Sequence, residues 1–155
     1  MEKALEKGFI KAATGNFTEA VKEFTKVIKK NPSEIFPYFA RATAYAGTGD
    51  YSNTIKDCTR AIELDSTFID PYFIRGMAFL HSERYAEAID DFTTVTDVMP
   101  EHHEAFYHRA SAYFELGEYQ KSLSDLNRTN EINKENQDVF FLRGLVRMEL
   151  ADYQG

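Results

Sequence analysis

The stretch PYFAR occupies residues 37–41, and PYFIR occupies residues 71–75, 34 positions later. Each carries a proline, two aromatics and an arginine. A spacing of this kind points to an internal repeat, and a repeat changes the reading of a whole chain. Written in rows of 34 that start at Met1, Ile35, Ile69, His103 and Gln137, the sequence stays in register without insertion or deletion. Row position 4 holds Ala4, Tyr38, Tyr72, Phe106 and Phe140, and position 5 holds Leu5, Phe39, Phe73, Tyr107 and Phe141. Position 7 reads Lys7, Arg41, Arg75, Arg109 and Arg143. Position 8 is always small (Gly8, Ala42, Gly76, Ala110, Gly144), and position 17 is always aromatic (Phe17, Tyr51, Tyr85, Tyr119, Tyr153).

Each row reads as two helices. Tyr38, Arg41, Ala42 and Tyr45 follow the three- and four-residue spacing of one helical face. Gly49-Asp50 interrupts as a turn, and Ile55, Cys58, Ala61 and Ile62 resume the helical pattern. Pro37 and Pro71 fall in a first helical turn, where the missing N–H costs little. Pro32 and Pro100 end second helices, since proline cannot continue one cheaply. Small residues at position 8 and at position 20 (Ala20, Thr54, Ala88, Ser122) let the two helices approach. Phe24, Cys58, Phe92 and Leu126 at position 24 fill the space beside them.

Composition bounds the function. The 155 residues are 43% apolar, 28% charged and 14% aromatic, which excludes a disordered chain. With 18 basic and 25 acidic residues the net charge is −7, which argues against a nucleic-acid surface. Cys58 alone allows no internal disulfide and fits a reducing, cytoplasmic setting. No apolar run is long enough to span a membrane. The opening MEKALEKGFIKAATG (1–15) is charged through its first eight residues, and its apolar stretch is too short for a signal peptide.

The repeat resembles that of the tetratricopeptide family, whose unit of 34 residues favours an aromatic at position 4, Gly or Ala at 8, Tyr at 11, Ala at 20, an aromatic at 24, Ala at 27 and Pro at 32. GNFTEAVKEFTKVIKKNP (15–32), GDYSNTIKDCTRAIELD (49–65) and RYAEAIDDFTTVTDVMP (84–100) carry the likeness. Ala4, Lys11 and Lys134 depart from it. The resemblance implies an all-α fold, a right-handed superhelical solenoid of antiparallel helix pairs. It implies one domain over 1–155, with repeats 1–34, 35–68, 69–102 and 103–136 and a partial repeat 137–155. In the last row Phe140, Leu142, Leu145, Val146 and Leu150 form an apolar first helix, and ADYQG (151–155) reads as a turn into a second. The expectation is a piece of a longer array, or an end that pairs with another copy.

Two residue sets invite a functional reading. Arg41, Arg75, Arg109 and Arg143 form a ladder that could read phosphate. Glu23, Asp57, Asp91 and Asp125 at position 23 match it, so the expected role is structural, stitching neighbouring repeats together. The resemblance places positions 2, 5, 6, 9, 12 and 13 on a concave face. Phe39, Phe73, Met77, Leu80, Tyr107, Phe114 and Phe141 would line it. Glu2, Asp70, Glu104 and Asp138 would form an acidic edge, interrupted by Phe36. Contiguous exposed apolar surface marks interaction sites, although rings at position 5 can instead pack against adjacent helices.

Other chemistries find little support. The carboxylate clamp that family members use for acidic chaperone tails needs Lys and Asn where this chain has Leu5, Phe9, Ala40, Asp70 and Ile74, or, one repeat on, Phe39, Thr43, Ile74, Glu104 and His108. No such binding is expected. His102, His103 and His108 lie near Glu101 and Glu104, but only Glu104 and His108 share a ligand spacing, and no metal is expected. His81 is read as a hydrogen-bonding group on the concave face. No phosphate loop, zinc-spaced cysteine pair or serine elbow is present, so neither catalysis nor a cofactor is expected. The expected function is a scaffold that binds a protein or peptide partner, with no nucleic acid and no membrane. The alternative is a module that self-assembles through its last repeat or by inserting a helix into a neighbour's groove.

Overall fold

The computed structural model describes residues 2–134 and 137–152; of Glu2 and Asp152 it describes only the backbone. The expected acidic-edge carboxylate of Glu2, and Tyr153 with the two residues after it, lie outside what is described. Among the described residues the chain forms α1 (Glu2–Ala13), α2 (Phe17–Lys30), α3 (Ile35–Gly47), α4 (Tyr51–Leu64), α5 (Asp70–His81), α6 (Tyr85–Val98), α7 (His103–Glu115), α8 (Tyr119–Ile132) and α9 (Gln137–Asp152), with no strand. Every second helix begins at the position-17 aromatic and runs for 14 residues. Ala151 and Asp152, expected in a turn, continue α9.

The turn between the helices of a repeat has one backbone solution. Position 15 takes a left-handed conformation four times, at Gly15 (φ 74°), Gly49 (φ 76°), Glu83 (φ 59°) and Gly117 (φ 72°). Glycine adopts it without a Cβ clash. The next N–H then reaches back to the carbonyl of position 11: Asn16 to Lys11 at 2.8 Å, Asp50 to Tyr45 at 3.0 Å and Glu118 to Tyr113 at 2.9 Å. These bonds satisfy carbonyls that a helix end leaves free. Asp50 adds a side-chain cap on α4, accepting from the Asn53 N–H at 3.1 Å.

The chain divides into two compact units, residues 1–82 and 83–155. In the first unit consecutive helices pack in series, α1 on α2, α2 on α3, α3 on α4 and α4 on α5. One core there joins Ala20, Phe24, Ala40 and Ala44, flanked by Leu5, Ala12, Phe17 and Val21. A second joins Ile28, Tyr38 and Ala61. In the second unit α6, α7, α8 and α9 pack in the same serial way. Its core is Ala110, Leu126, Val139, Leu142 and Val146, edged by Tyr107, Phe114 and Tyr119. Fully burying a filler such as Phe24 or Leu126 is worth about 1.5–3 kcal/mol. From the second row on, positions 3 and 10, which carry no obvious signature, are among the most buried: Ala44, Ala78, Ala105, Ala112, Val139 and Val146 are all at or below 2% exposure.

Candidate partner-binding site

In the first unit the first-helix face is aromatic. Phe9 lies edge-on to Phe24, with ring centroids 5.3 Å apart, and meets Phe36 at 5.7 Å. Phe36 meets Phe39 at 6.3 Å, and Phe39 meets Phe68 edge-on at 5.1 Å. The row runs Phe9, Phe36, Phe39, Phe68. Phe9 is 40% exposed and Phe36 49%, while Phe39 is half-buried. Phe36, read from sequence as a gap in an acidic edge, is therefore a link in an aromatic chain. Its signal was the coincidence of Phe9 with a ring at position 2 of the next row. Phe73, Met77 and Leu80 are half-buried on α5, and Asp70 is exposed. His81 stacks on Tyr51 at 4.9 Å, with ring planes 9° apart. Phe17 likewise lies where a side chain on Gly47 would stand, within 2.8 Å. A position-17 ring thus lies over position 13 of the following repeat in both cases.

In the second unit Tyr107 and Phe114 are half-buried at the edge of the core, and Phe114 also meets Tyr119 at 5.6 Å. Glu104 and Asp138 are exposed, and Phe141 is 72% exposed. Burial, followed by the nearby Asp138 charge, holds the Tyr107 hydroxyl above the ordinary tyrosine value, and a hydrogen bond with Ser111 opposes them.

The arginines do something different from the expected stitching of neighbours. Arg41 pairs with Asp57 of its own repeat, Nε to Oδ2 at 2.7 Å and Nη2 to Oδ1 at 2.8 Å. Arg109 holds Asp125 with the same geometry, at 2.7 and 2.8 Å. The reason is helix phase: position 23 on the second helix faces position 7 of the helix it folds back on, 16 residues earlier. Glu23 instead takes Lys26 at 2.6 Å. The link to the preceding repeat is made by hydroxyls. Arg41 Nη1 donates to Thr25 at 2.9 Å, Arg75 Nη1 to Thr59 at 3.0 Å and Arg109 Nη1 to Thr93 at 3.1 Å. Thr25, Thr59 and Thr93 share position 25, a column legible in the rows but unread. Arg41 and Arg75 also lie near rings at positions 4 and 11, Arg41 at 5.9 Å from both Tyr38 and Tyr45, and Arg109 lies 5.4 Å from the Phe106 ring at position 4. A guanidinium held on Nε, Nη1 and Nη2, as in Arg41 and Arg109, is not arranged to read a phosphate.

His102 caps α7, its Nδ1 accepting from the Ala105 N–H at 3.3 Å, and His108 stacks near Phe92 at 5.9 Å. Among the described residues no group of three His, Cys, Asp or Glu side chains could hold a metal ion. Cys58 is fully buried. No described helix is long and apolar enough to cross a membrane.

Comparison with known proteins agrees with the repeat. Two family models described as tetratricopeptide repeat match residues 37–68 and 72–130. No curated protein matches the sequence. Among solved structures, a MamA protein superposes with a TM-score of 0.93 at 21% identity, covering 97% of this chain and 82% of that one. MamA from Desulfovibrio magneticus gives 0.94 at 16% identity, covering 99% and 86%. A tetratricopeptide repeat protein from Parabacteroides merdae gives 0.87 at 19% identity, covering 99% and 61%. At these identities the likeness speaks for the fold, an all-α helical solenoid, and the fold is one used for protein interaction. With the 34-residue register, the paired helices and the matched models together, the chain belongs to the tetratricopeptide repeat family.

Proposed function

We propose that this chain is a non-catalytic interaction scaffold that binds a partner segment on its first-helix face. The observation that supports this most is the aromatic row of the first unit, in which Phe9 and Phe36 remain 40% and 49% exposed although they touch. Adjacent exposed rings bury well against a partner and cost little conformational entropy to order. Phe39, Phe73, Met77 and Leu80 extend the apolar surface in that unit, and Tyr107, Phe114 and Phe141 supply it in the second. The exposed carboxylates Asp70, Glu104 and Asp138 favour a segment that also carries Lys or Arg. Such rim contacts speed association and weaken with salt. Acidic chaperone tails are not expected to bind, because no Lys or Asn stands where a clamp would need it.

The test is a peptide selection against the chain, followed by titration of the enriched sequences. Apolar–basic peptides are expected, with affinity falling as salt rises. Phe9→Ala with Phe36→Ala, and separately Phe73→Ala with Tyr107→Ala, should each lower affinity while helicity survives. Binding that ignores both double variants would refute this face as the site.

A further inference from the structure

The junction between α6 and α7 inverts a pattern that the other junctions keep. Position 31 follows each second helix and is polar as Asn31, Asp65 and Asn133, but it is apolar as Met99. Position 1 of the next row is Ile35 and Ile69 in the second and third repeats, but His103 in the fourth. Ile35 packs against the buried Ile28, Tyr38 and Ala61. At the α6–α7 junction the apolar residue thus stands outside and the polar one inside. Met99 is 41% exposed, and Val98 beside it 58%. The Nδ1 of His103 is buried and has no hydrogen-bond partner among the described residues. Neither change helps the fold, because an exposed thioether buries little and an unsatisfied buried nitrogen costs stability. Local rules broken without a packing gain mark functional positions.

Both inverted residues line one hollow of about 490 Å³, formed by residues 99–104. Met99 and Pro100 give it an apolar wall, and the exposed Glu101 and Glu104 give it carboxylates. Arg128 Nη2 donates to Glu101 at 2.9 Å and to the Pro100 carbonyl at 3.1 Å, so one guanidinium already rests on this turn. Its other Nη is held by Glu131 at 3.2 Å. Glu104 takes part in no ion pair among the described residues. We propose that this hollow binds a basic side chain, arginine or lysine, of a partner segment. The aliphatic stem covers Met99 and Pro100, as long cationic side chains do on apolar surface. The charged head donates to the Glu104 carboxylate and to the His103 ring. Residues 83–155 hold 7 basic and 15 acidic side chains, a field that draws a cation in. The hollow lies between two interior helices, and the proposal does not rest on the aromatic row of the first unit.

The test titrates the capped peptide acetyl-Gly-Leu-Arg-Leu-Gly-amide into the isotope-labelled full chain and follows the backbone amides by NMR. Saturable shifts are expected at residues 98–104. A twin peptide with citrulline for arginine keeps the shape and loses the charge, and it should bind roughly fivefold more weakly or worse. Glu104→Gln and Met99→Asn should each weaken the arginine peptide by a similar factor. Asparagine stands at that position after α2 and α8, so Met99→Asn keeps the fold. His103→Ile restores the residue of the two earlier junctions. It should weaken binding and raise the melting temperature together, since it removes the acceptor and the unsatisfied nitrogen at once. A residue with only a structural role would not move the two in opposite directions. The Phe9→Ala, Phe36→Ala variant should bind the peptide like wild type, which separates this site from the aromatic row. Absence of saturable shifts at these residues, equal binding of the citrulline peptide, or undiminished binding by His103→Ile would overturn the proposal.

Discussion

Arg41 closes on both carboxylate oxygens of Asp57, at 2.7 and 2.8 Å, and its third nitrogen reaches Thr25 at 2.9 Å. The side chains are 17% and 5% exposed. The hydrogen bond to Asp57 holds the Arg41 guanidinium above its ordinary value, with burial opposing. Removing one member leaves a buried charge, so Arg41→Ala should cost about 3–5 kcal/mol. Thr25→Val should cost about 1.5–3 kcal/mol, as a lost bond to a charged group. Urea unfolding measures both. A loss below about 1 kcal/mol for Arg41→Ala would place the pair among ordinary surface bridges.

Gly8 and Gly144 occupy the same row position and should respond oppositely to alanine. A Cβ at Gly8 meets Phe24 at 2.4 to 2.9 Å, whereas one at Gly144 meets nothing within 4 Å. Gly8→Ala should destabilise by about 1–3 kcal/mol through overpacking. Gly144→Ala should stabilise by about 0.5–1 kcal/mol through helix propensity. Thermal melts of the two variants would decide it, and a shared sign would contradict the packing described.

Glu83 is the one non-glycine residue described with a left-handed backbone, at φ 59°. That conformation costs an L residue roughly 1–2 kcal/mol, and glycine's greater unfolded freedom returns part of it. Glu83→Gly should therefore raise stability by about 0.5–1 kcal/mol. Gly49→Glu should lower it, and a calorimetric melt that fell for Glu83→Gly would rule out strain at this turn.

Tyr107 gives a pH dependence with a definite sign. Its folded hydroxyl is held above the ordinary value of 10.0, first by burial and then by the charge of Asp138. The stability it contributes is fully present below the unfolded value and is lost as pH rises through the folded one. Asp138→Asn removes the second cause, so Tyr107 should ionise at lower pH than in wild type. Carbon-13 labelling of the tyrosine rings and an alkaline NMR titration would follow it. An unmoved Tyr107 resonance would mean that the Asp138 charge does not reach the ring.

The period of 34 carried the architecture, because positions 4, 8, 17 and 24 have side chains whose size alone announces their place. Partner choice within the core was harder to read. Position 23 stands 16 residues after one arginine and 18 before the next, and linear spacing does not say which way a helix turns its carboxylate. The phase of α4 on α3 settled it for Asp57. Thr25, Thr59 and Thr93 escaped notice because threonine on a helix has many local uses. Phe36 was hidden by its column, whose other members are acidic, since a row compares a residue with its equivalents and not with Phe9 across the face. Positions 3 and 10 are mostly alanine, proline or valine, and small residues signal close packing only once the neighbouring helix is in view.

Because Arg41 and Arg109 find their aspartates inside their own repeats, the second and fourth repeats carry this charge balance with them. A duplication or deletion of either 34-residue repeat would leave no ion of this pair stranded; only the hydroxyl bonds at the junction would have to be remade, and a repeat with the same threonine at position 25 can remake them. Had the pairs crossed between units, every change in array length would have orphaned a buried charge. The wiring of two residues thus makes the array open to growth and shortening by recombination, and suggests where an engineer should cut: between repeats, never between a first helix and its second.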